Sequence, residues 1–338
     1  MNPLLDSSDL LQDGLELYRR LQRDGYLFIR RLLPAQVLEQ LRLDFLNVAG
    51  RDGWLKAGTP VADAVADIDS FCVEPEPRYM ACYGQFYRLP RFHALQHRPE
   101  LVDLFTRMLG EPVLPHPRLI ARAIFPQRET YTTPPHQDFI PIQGTPATYT
   151  AWIPLSDLPA EMGGLQIAAG SHTRGVYEFQ PALGAGGIAV TDPLDGTWVS
   201  STFEQGDVLF FHSMTVHKGV PNTSQTLRVS VDARFQKASD PIAPGSLLPH
   251  SQPDSWKEIY ADWPDDELKH YWKGSDLQVV EYDNSYHEQR DQMAFDMAAR
   301  GDRTAISALQ RIIARDDDAA NRHRAEELLQ TLEANAAE

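Results

Sequence analysis

Cysteine is almost absent from this chain. The 338 residues hold two, Cys72 and Cys82, too few for a disulfide scaffold or a zinc knuckle, and they read as free thiols in a reducing cytoplasm. No apolar run approaches the length of a membrane span. The opening, residues 1–9, has neither a basic stretch nor an apolar core and does not read as a signal peptide, so a cytoplasmic protein is expected. Positive charge is in deficit. Lys and Arg number 31 against 47 Asp and Glu, a net charge of −16, which disfavours nucleic acid and anionic membranes as partners. We read the acidic excess as solubility. No internal repeat is seen. Gly163, Gly164 and Gly170 lack the strand–GxGxxG–helix setting of a dinucleotide site and are assigned to backbone turns.

What is present is a core-forming composition, 42% hydrophobic, arranged in two textures. Helical periodicity runs through 9–23, with Leu11, Leu15, Tyr18 and Leu21 on one stripe, through 35–49, and through 99–109 up to Gly110. Tyr26–Ile29 is a short apolar strand. From 118 to 236 short apolar runs alternate with Gly, Pro and Asn, which is all-β patterning. Strands are expected at 119–125, 147–155, 164–168, 207–211 and 227–235. An insert at 173–203 is expected to cover the site as a loop. From about 254 the chain turns helical and charged again, with amphipathic stretches at 284–300 and 302–336. Amphipathic helices pack on their own core or on a partner. Packing in cis is favoured, with a homo-oligomer as the alternative. Light scattering on a chain lacking 302–338 separates the two, and an unchanged mass rejects assembly through the tail.

The chemistry-bearing residues are His136-Gln137-Asp138 and, far downstream, two histidines, His212 and His217. On a strand, residues i and i+2 point to the same side, so His136 and Asp138 can reach one ion from one short segment. A third donor must come from another strand. His212 and His217 lie five apart and would face opposite ways on an unbroken strand. Two imidazoles with one carboxylate form the facial triad of non-haem Fe(II) oxygenases, which leaves one face of an octahedral metal open. Asp207 follows Gly206 at a turn, where capping is its default role.

Several stretches in order resemble the phytanoyl-CoA dioxygenase family of Fe(II)/2-oxoglutarate oxygenases. They are 135–139 (PHQDF), 150–157 (TAWIPLSD), 163–172 (GGLQIAAGSH), 206–212 (GDVLFFH) and 217–222 (HKGVPN) through Arg228 and Ser230, with 24–34 (DGYLFIRRLLP) similar to the family's opening. The resemblance spans about 15–240. It implies a mainly β core, a double-stranded β-helix (jelly-roll, cupin-like barrel), flanked by N-terminal helices and a helical C-terminal extension. The expected division is an oxygenase domain at 1–250, with its β-helix core at about 118–236, and a tail at 251–338 packed on it.

The resemblance implies that His136, Asp138 and His217 bind Fe(II), with His212 a core residue and His172 structural. Arg228 would grip 2-oxoglutarate through a guanidinium fork, helped by Ser230. Thr150 and Trp152 would line the co-substrate pocket, although a core role for Trp152 weighs equally. Arg234 shares the face of Arg228 and Ser230 and is read as a surface or salt-bridging residue. Tyr131, Arg122 and Tyr83 are assigned to the substrate side, with core packing or solvent exposure as their rivals. O2 is the second co-substrate, and hydroxylation of a small metabolite or natural-product intermediate is expected, with succinate and CO2 released. Desaturation, epoxidation and demethylation share the oxidant. Halogenating relatives replace the carboxylate by a small residue, so Asp138 argues against that outcome. A non-catalytic metal-binding cupin would have no need of Arg228 and Ser230. No basic cluster supports a CoA thioester substrate.

Overall fold

The structure is a computed structural model and describes residues 2–126, 132–182, 187–250 and 254–334. Its strands are β1 Tyr26–Ile29, β2 Val113–Pro115, β3 Ile120–Ile124, β4 Tyr149–Pro154, β5 Leu165–Ala168, β6 Phe179–Pro181, β7 Ile188–Val190, β8 Trp198–Val199, β9 Val208–His212, β10 His217–Gly219 and β11 Arg228–Lys237. Its α-helices are α1 Gly14–Asp24, α2 Ala35–Arg51, α3 Pro77–Tyr87, α4 Pro90–Ala94, α5 Pro99–Leu109, α6 Phe139–Ile142, α7 Trp256–Ile259, α8 Ser285–Ala299, α9 Ile306–Arg315 and α10 Ala319–Ala334.

Six strands form the large antiparallel sheet in the order β1-β9-β4-β11-β2, with β3 also paired to β11. A smaller sheet runs β10-β5-β8, and β6 and β7 form a separate antiparallel pair. Strand β11 shows why the large sheet has two unlike faces. Val229, Val231, Ala233 and Phe235 point one way and join the main core with Phe45, Phe86, Leu104 and Phe105 from the helices. Arg228, Ser230, Asp232 and Arg234 point the other way and are all buried. Period-two alternation thus gives an apolar face under a helical layer and a polar face turned inward. On that inner face a second cluster, including Phe28, Trp152, Phe203, Leu209 and Phe211, fills the space next to the polar row.

The N-terminal helix begins later than its periodicity suggests. Asp13 caps it by accepting from the Glu16 N–H at 3.0 Å, and residues 8–10 form a single 3-10 turn. Its buried stripe is Gly14, Leu17 and Leu21, while Leu15 is 58% exposed. Of the expected stripe, Leu21 is buried and Leu11 and Tyr18 pack on the main core, while Leu15 faces out and Leu17 takes its place. Gly25 ends the helix at φ +78°, and a Cβ there would lie 2.5 Å from His172 Nδ1 and 2.7 Å from Thr215 Oγ1, so glycine alone allows that approach.

Two other expectations need correction. The 173–203 insert is not a plain loop. It carries β6, β7 and β8, and β8 pairs with β5. The stretch 302–336 is two helices, because the run Asp316–Asp318 turns the chain between them. Asp316 is extended at ψ 133°, and Asp318 accepts from the Ala320 N–H at the start of α10. Helices α8, α9 and α10 bury Phe295, Leu309, Ile312 and Leu332 against one another. Upstream, Trp256, Tyr260, Trp263 and Trp272 join the main core. No described helix is long and apolar enough to cross a membrane.

The core also holds neutral histidines. His93 is packed among Tyr87, Phe92, Trp256 and Trp263, and burial pushes its pKa down to about 4. His116 is buried against Gln236, and burial pushes it down to about 3. Both titrate near 6.5 when unfolded, so below that pH the unfolded chain binds more protons and folding loses free energy. Stability is therefore full above pH 6.5 and falls as pH drops toward 4. At pH 5 the loss is about 2 kcal/mol per histidine, and the melting midpoint is expected to sit roughly 6 °C below its pH 7 value. A flat profile between pH 7 and 5 in scanning calorimetry would contradict this.

Candidate metal centre

His136 and His217 face each other across an antiparallel bridge, each N–H donating to the other's carbonyl at 3.0 Å. Their rings lie 4.2 Å apart, centre to centre. In each ring Nδ1 donates to a backbone carbonyl two residues upstream, Pro134 at 2.8 Å and Thr215 at 3.0 Å. That fixes the tautomer and leaves Nε2 with a lone pair. The two Nε2 atoms lie 3.9 and 4.0 Å from Asp138 Oδ1. The remaining carboxylate oxygen, Oδ2, accepts from Thr150 Oγ1 at 2.6 Å and from Arg234 Nη2 at 3.4 Å. Among the described residues, this trio is the one buried His/Cys/Asp/Glu group able to hold a metal ion.

The donor set fits a divalent ion. Both imidazoles are held neutral: burial, and then the neighbouring His217, pushes His136 down to about 3, and burial likewise lowers His217. Burial works to raise Asp138, but the charge of Arg234, the two imidazoles and the Thr150 hydroxyl outweigh it and hold the carboxyl well below its usual range. Two neutral nitrogens and one carboxylate oxygen converge with no proton to displace near pH 7.

The same-side placement of His136 and Asp138 arises differently from the strand argument. Only His136 is in a β-bridge. Asp138 has helical φ −64° and ψ −28° and opens α6, so a turn, not a pleat, swings its carboxylate back. Gln137 points away. Its amide donates to the Gly175 and Met214 carbonyls and its oxygen accepts from the Tyr177 N–H, tying the ligand segment to the insert. His212 ends β9 and lies away from the trio. Its Nδ1 accepts from the Met214 N–H, and its ring stands against Tyr149 and His172. His172 Nε2 meets the Gln22 carbonyl. Asp207 does more than cap: it accepts from the Glu204 and Arg31 N–H groups and from Arg30 Nη1 at 2.6 Å.

Arg228 is buried and lacks an acidic partner among the described ion pairs. Its Nη1 donates to the Met162 and Val220 carbonyls, and its Nε has no partner among the described residues. Burial, followed by the charge of Arg122, brings its pKa down to about 10. Gly163 makes this geometry possible. At φ +67° a Cβ would fall 2.4 Å from the Val220 carbonyl oxygen, so only glycine lets the two carbonyls meet at one guanidinium. Ser230 lies next along the same face, opposite Arg122 in the register.

Trp152 sits in the inner cluster, edge-on to Phe203 at 4.9 Å. Arg122 is not a solvent-facing strand residue. Its Nε donates to Asp232 at 3.0 Å, and Glu74 lies 3.8 Å away, so its single charge is met by two carboxylates. Tyr83 is fully enclosed, its hydroxyl 2.8 Å from His250 Nδ1. Tyr131 lies outside the described residues. Arg234, read as a surface or salt-bridging residue, is salt-bridging but buried, and what sequence reasoning missed is its partner, the candidate carboxylate ligand Asp138. The available signal was the charged alternation of Arg228, Ser230, Asp232 and Arg234 inside an otherwise apolar strand.

Residues 21–230 match the phytanoyl-CoA dioxygenase (PhyH) family. The chain belongs to that family. It is therefore an Fe(II)/2-oxoglutarate-dependent oxygenase. Among curated relatives, it is 27% identical over 278 residues to 1-deoxypentalenic acid 11-beta-hydroxylase of Streptomyces exfoliatus, covering 76% of this chain and 93% of that protein. It is 20% identical over 243 residues to the human peroxisomal phytanoyl-CoA dioxygenase, covering 69% and 70%. Among solved structures it is similar to the epimerase SnoN in complex with Fe3+, alpha ketoglutarate and nogalamycin RO, at a TM-score of 0.51 and 20% identity over 72% of this chain and 93% of that one. The family core is a cupin-like, sheet-rich fold with flanking helices.

Proposed function

We propose that this oxygenase hydroxylates an unactivated C–H bond of a small metabolite or natural-product intermediate, releasing succinate and CO2. The observation that carries the reading is the pairing of the His136, Asp138 and His217 trio with the unanswered, buried Arg228. A protein that only stored or sensed a metal would gain nothing from burying that cation. The similarity to a hydroxylase that acts on a small acid supports the reaction type. We read the two unequal sheets as the halves of a double-stranded β-helix, 1–250 as the catalytic unit, and the tail as an extension packed on it in a cytoplasmic protein.

Fe(II), held by the trio, would supply the power to cleave a C–H bond using 2-oxoglutarate and O2. The protein's own part is positioning. Thr150 and Arg234 occupy Oδ2 of Asp138 and aim Oδ1 inward. The Pro134 and Thr215 carbonyls aim the two imidazoles. Arg228 presents its free N–H groups to the distal carboxylate of the co-substrate, with Ser230 beside it. Trp152, Phe203 and Phe211 keep water from the inner face. The carboxylate of Asp138 stands where the halogenating relatives carry a small residue, which disfavours halogenation.

Anaerobic addition of Fe(II) and 2-oxoglutarate to metal-free protein is expected to give a weak visible charge-transfer band, lost in His217→Ala. Iron binding without a band would remove 2-oxoglutarate as the co-substrate and return the chain to a metal-binding role.

A further inference from the structure

The turn that carries Asp138 is too short to hold itself. The bonds that close α6 run from the Ile142 N–H to the Asp138 carbonyl at 3.2 Å and from the Gln143 N–H to the Phe139 carbonyl at 2.8 Å. A lone turn fixes several residues for very few bonds and is unfavourable by itself, and the carbonyls at its C-terminal end find no partner within it. Its start is tied to the core by the Phe139 N–H, which donates to the Ser213 carbonyl at 3.0 Å. Its end is completed by side chains. Gln143 Nε2 donates to the Ile140 carbonyl at 3.2 Å, and the Tyr282 hydroxyl donates to the Pro141 carbonyl at 3.0 Å.

Gln143 also grips the C-terminal extension. Its Nε2 donates to the Asp283 carbonyl at 2.8 Å, and its Oε1 accepts from the Asp283 N–H at 2.8 Å. Both ends of one amide therefore close on one residue. The Gln143 backbone sits at φ +54° and ψ −154°, which a residue other than glycine keeps only where its surroundings impose it. Burial comes from the next turn of chain. Tyr286 is buried with Ile140 and Ile188, and Phe139 and Tyr282 pack against them. With the Tyr282 proton given to Pro141, the Tyr286 hydroxyl donates to the Tyr282 oxygen at 2.9 Å. Pairing upstream sets the register in which these residues arrive: the Ile242 N–H donates to the Gln278 carbonyl at 2.9 Å and the Val280 N–H to the Ile242 carbonyl at 3.0 Å. All of them lie beyond the segment matched to the family, 21–230.

We propose that residues 282–286 are a positioning element of the metal centre: they complete the α6 turn from outside and so hold the Asp138 carboxylate where the two imidazoles meet it. This role rests on the reading of His136, Asp138 and His217 as the metal ligands. Tyr282, Gln143 and Tyr286 act through the backbone of 138–143 and do not touch the ion. The division of labour is physical. Thr150 and Arg234 set the rotation of the carboxylate, whereas Tyr282 and Gln143 set the backbone from which it hangs. A small displacement of that backbone moves Oδ1 away from the point where both Nε2 atoms aim. Loss of the brace therefore falls on metal affinity more than on the stability of the fold.

The test uses the full chain, metal-free and under argon. Tyr282→Phe removes one hydroxyl and keeps the ring. Gln143→Gly removes the amide pair while relaxing the backbone at φ +54°, so strain and grip are separated. Each is titrated with Fe(II), and hydrogen exchange at the Ile142 amide is followed without metal. Both variants are expected to bind Fe(II) about tenfold more weakly than wild type. The Ile142 amide should exchange at least about tenfold faster, and the metal-free melting midpoint should stay close to that of wild type. Ile312→Val, inside the α8–α10 core, is the control for general loosening and should leave iron affinity as it was. Unaltered affinity in either Tyr282→Phe or Gln143→Gly, weaker binding with no change at the Ile142 amide, or an equal loss in Ile312→Val would each overturn the proposal. Failure of the wild-type chain to bind Fe(II) would instead defeat the reading of the metal centre itself.

Discussion

Asp138→Ala is expected to abolish hydroxylation, with succinate release at least about a thousandfold below wild type, and to lower the melting midpoint by a separate route. The first effect is loss of the one anionic metal ligand, Asp138 Oδ1. The second concerns Arg234, which is buried and whose described carboxylate partner is Asp138. Removing one member of a buried pair leaves the other uncompensated, at a cost of about 3 kcal/mol. The two effects separate in a double variant. Asp138→Ala with Arg234→Met should regain most of the midpoint and none of the turnover. Full turnover in Asp138→Ala would show that the carboxylate is not a required ligand. A midpoint that does not recover in the double variant would show that Arg234 matters to the fold for another reason.

Arg228→Lys is expected to raise the KM for 2-oxoglutarate roughly 30- to 150-fold, from the loss of about 2–3 kcal/mol of charge-assisted hydrogen bonding. The native guanidinium spends Nη1 on the Met162 and Val220 carbonyls and keeps its other N–H groups for the ligand. An ammonium would be drawn to those same carbonyls as a point charge, with no fork left to present. Iron affinity should be unchanged, because Arg228 is not among the ligands. Steady-state kinetics at varied 2-oxoglutarate decides it, and an unaltered KM would assign the co-substrate grip elsewhere.

Much of this centre was legible in the sequence, for reasons that differ by residue. The five strands expected within 118–236 came through within about two residues because each is a short apolar run closed by Gly, Pro or Asn, whereas the two- and three-residue strands β6, β7, β8 and β10 are too short to show a pattern. Strand β11 was legible as an alternation, so Arg228 and Ser230 could be placed on one face. The His136 and Asp138 pair was found by a period-two argument that the backbone does not obey at Asp138, where the chain has already turned into α6. What stayed hidden depended on tertiary contact. The polar alternation of β11 marks Arg234 as sharing the face of Arg228, but nothing local names Asp138 as its partner. The hydroxyl of Thr150 meets Asp138 only because β4 and β11 pair in the register Thr150↔Arg234. The pairing of β6 with β7 inside the insert rests on cross-strand contact that periodicity does not encode.

Strand β11 has a wider consequence. The proposed co-substrate grip at Arg228, the Arg122 partner at Asp232 and the brace on Asp138 at Arg234 lie on one face of one strand, separated by even numbers of residues. Six residues at about 3.3 Å each set the span between the two ends, roughly 20 Å. Inserting or deleting one residue inside that stretch would turn part of the row to the helical side and expose valines to the site. Change of length is therefore closed to this strand. New substrates can be reached by lengthening or reshaping the 173–203 insert and the C-terminal helices, which touch the site from outside the ruler that holds the chemistry in place.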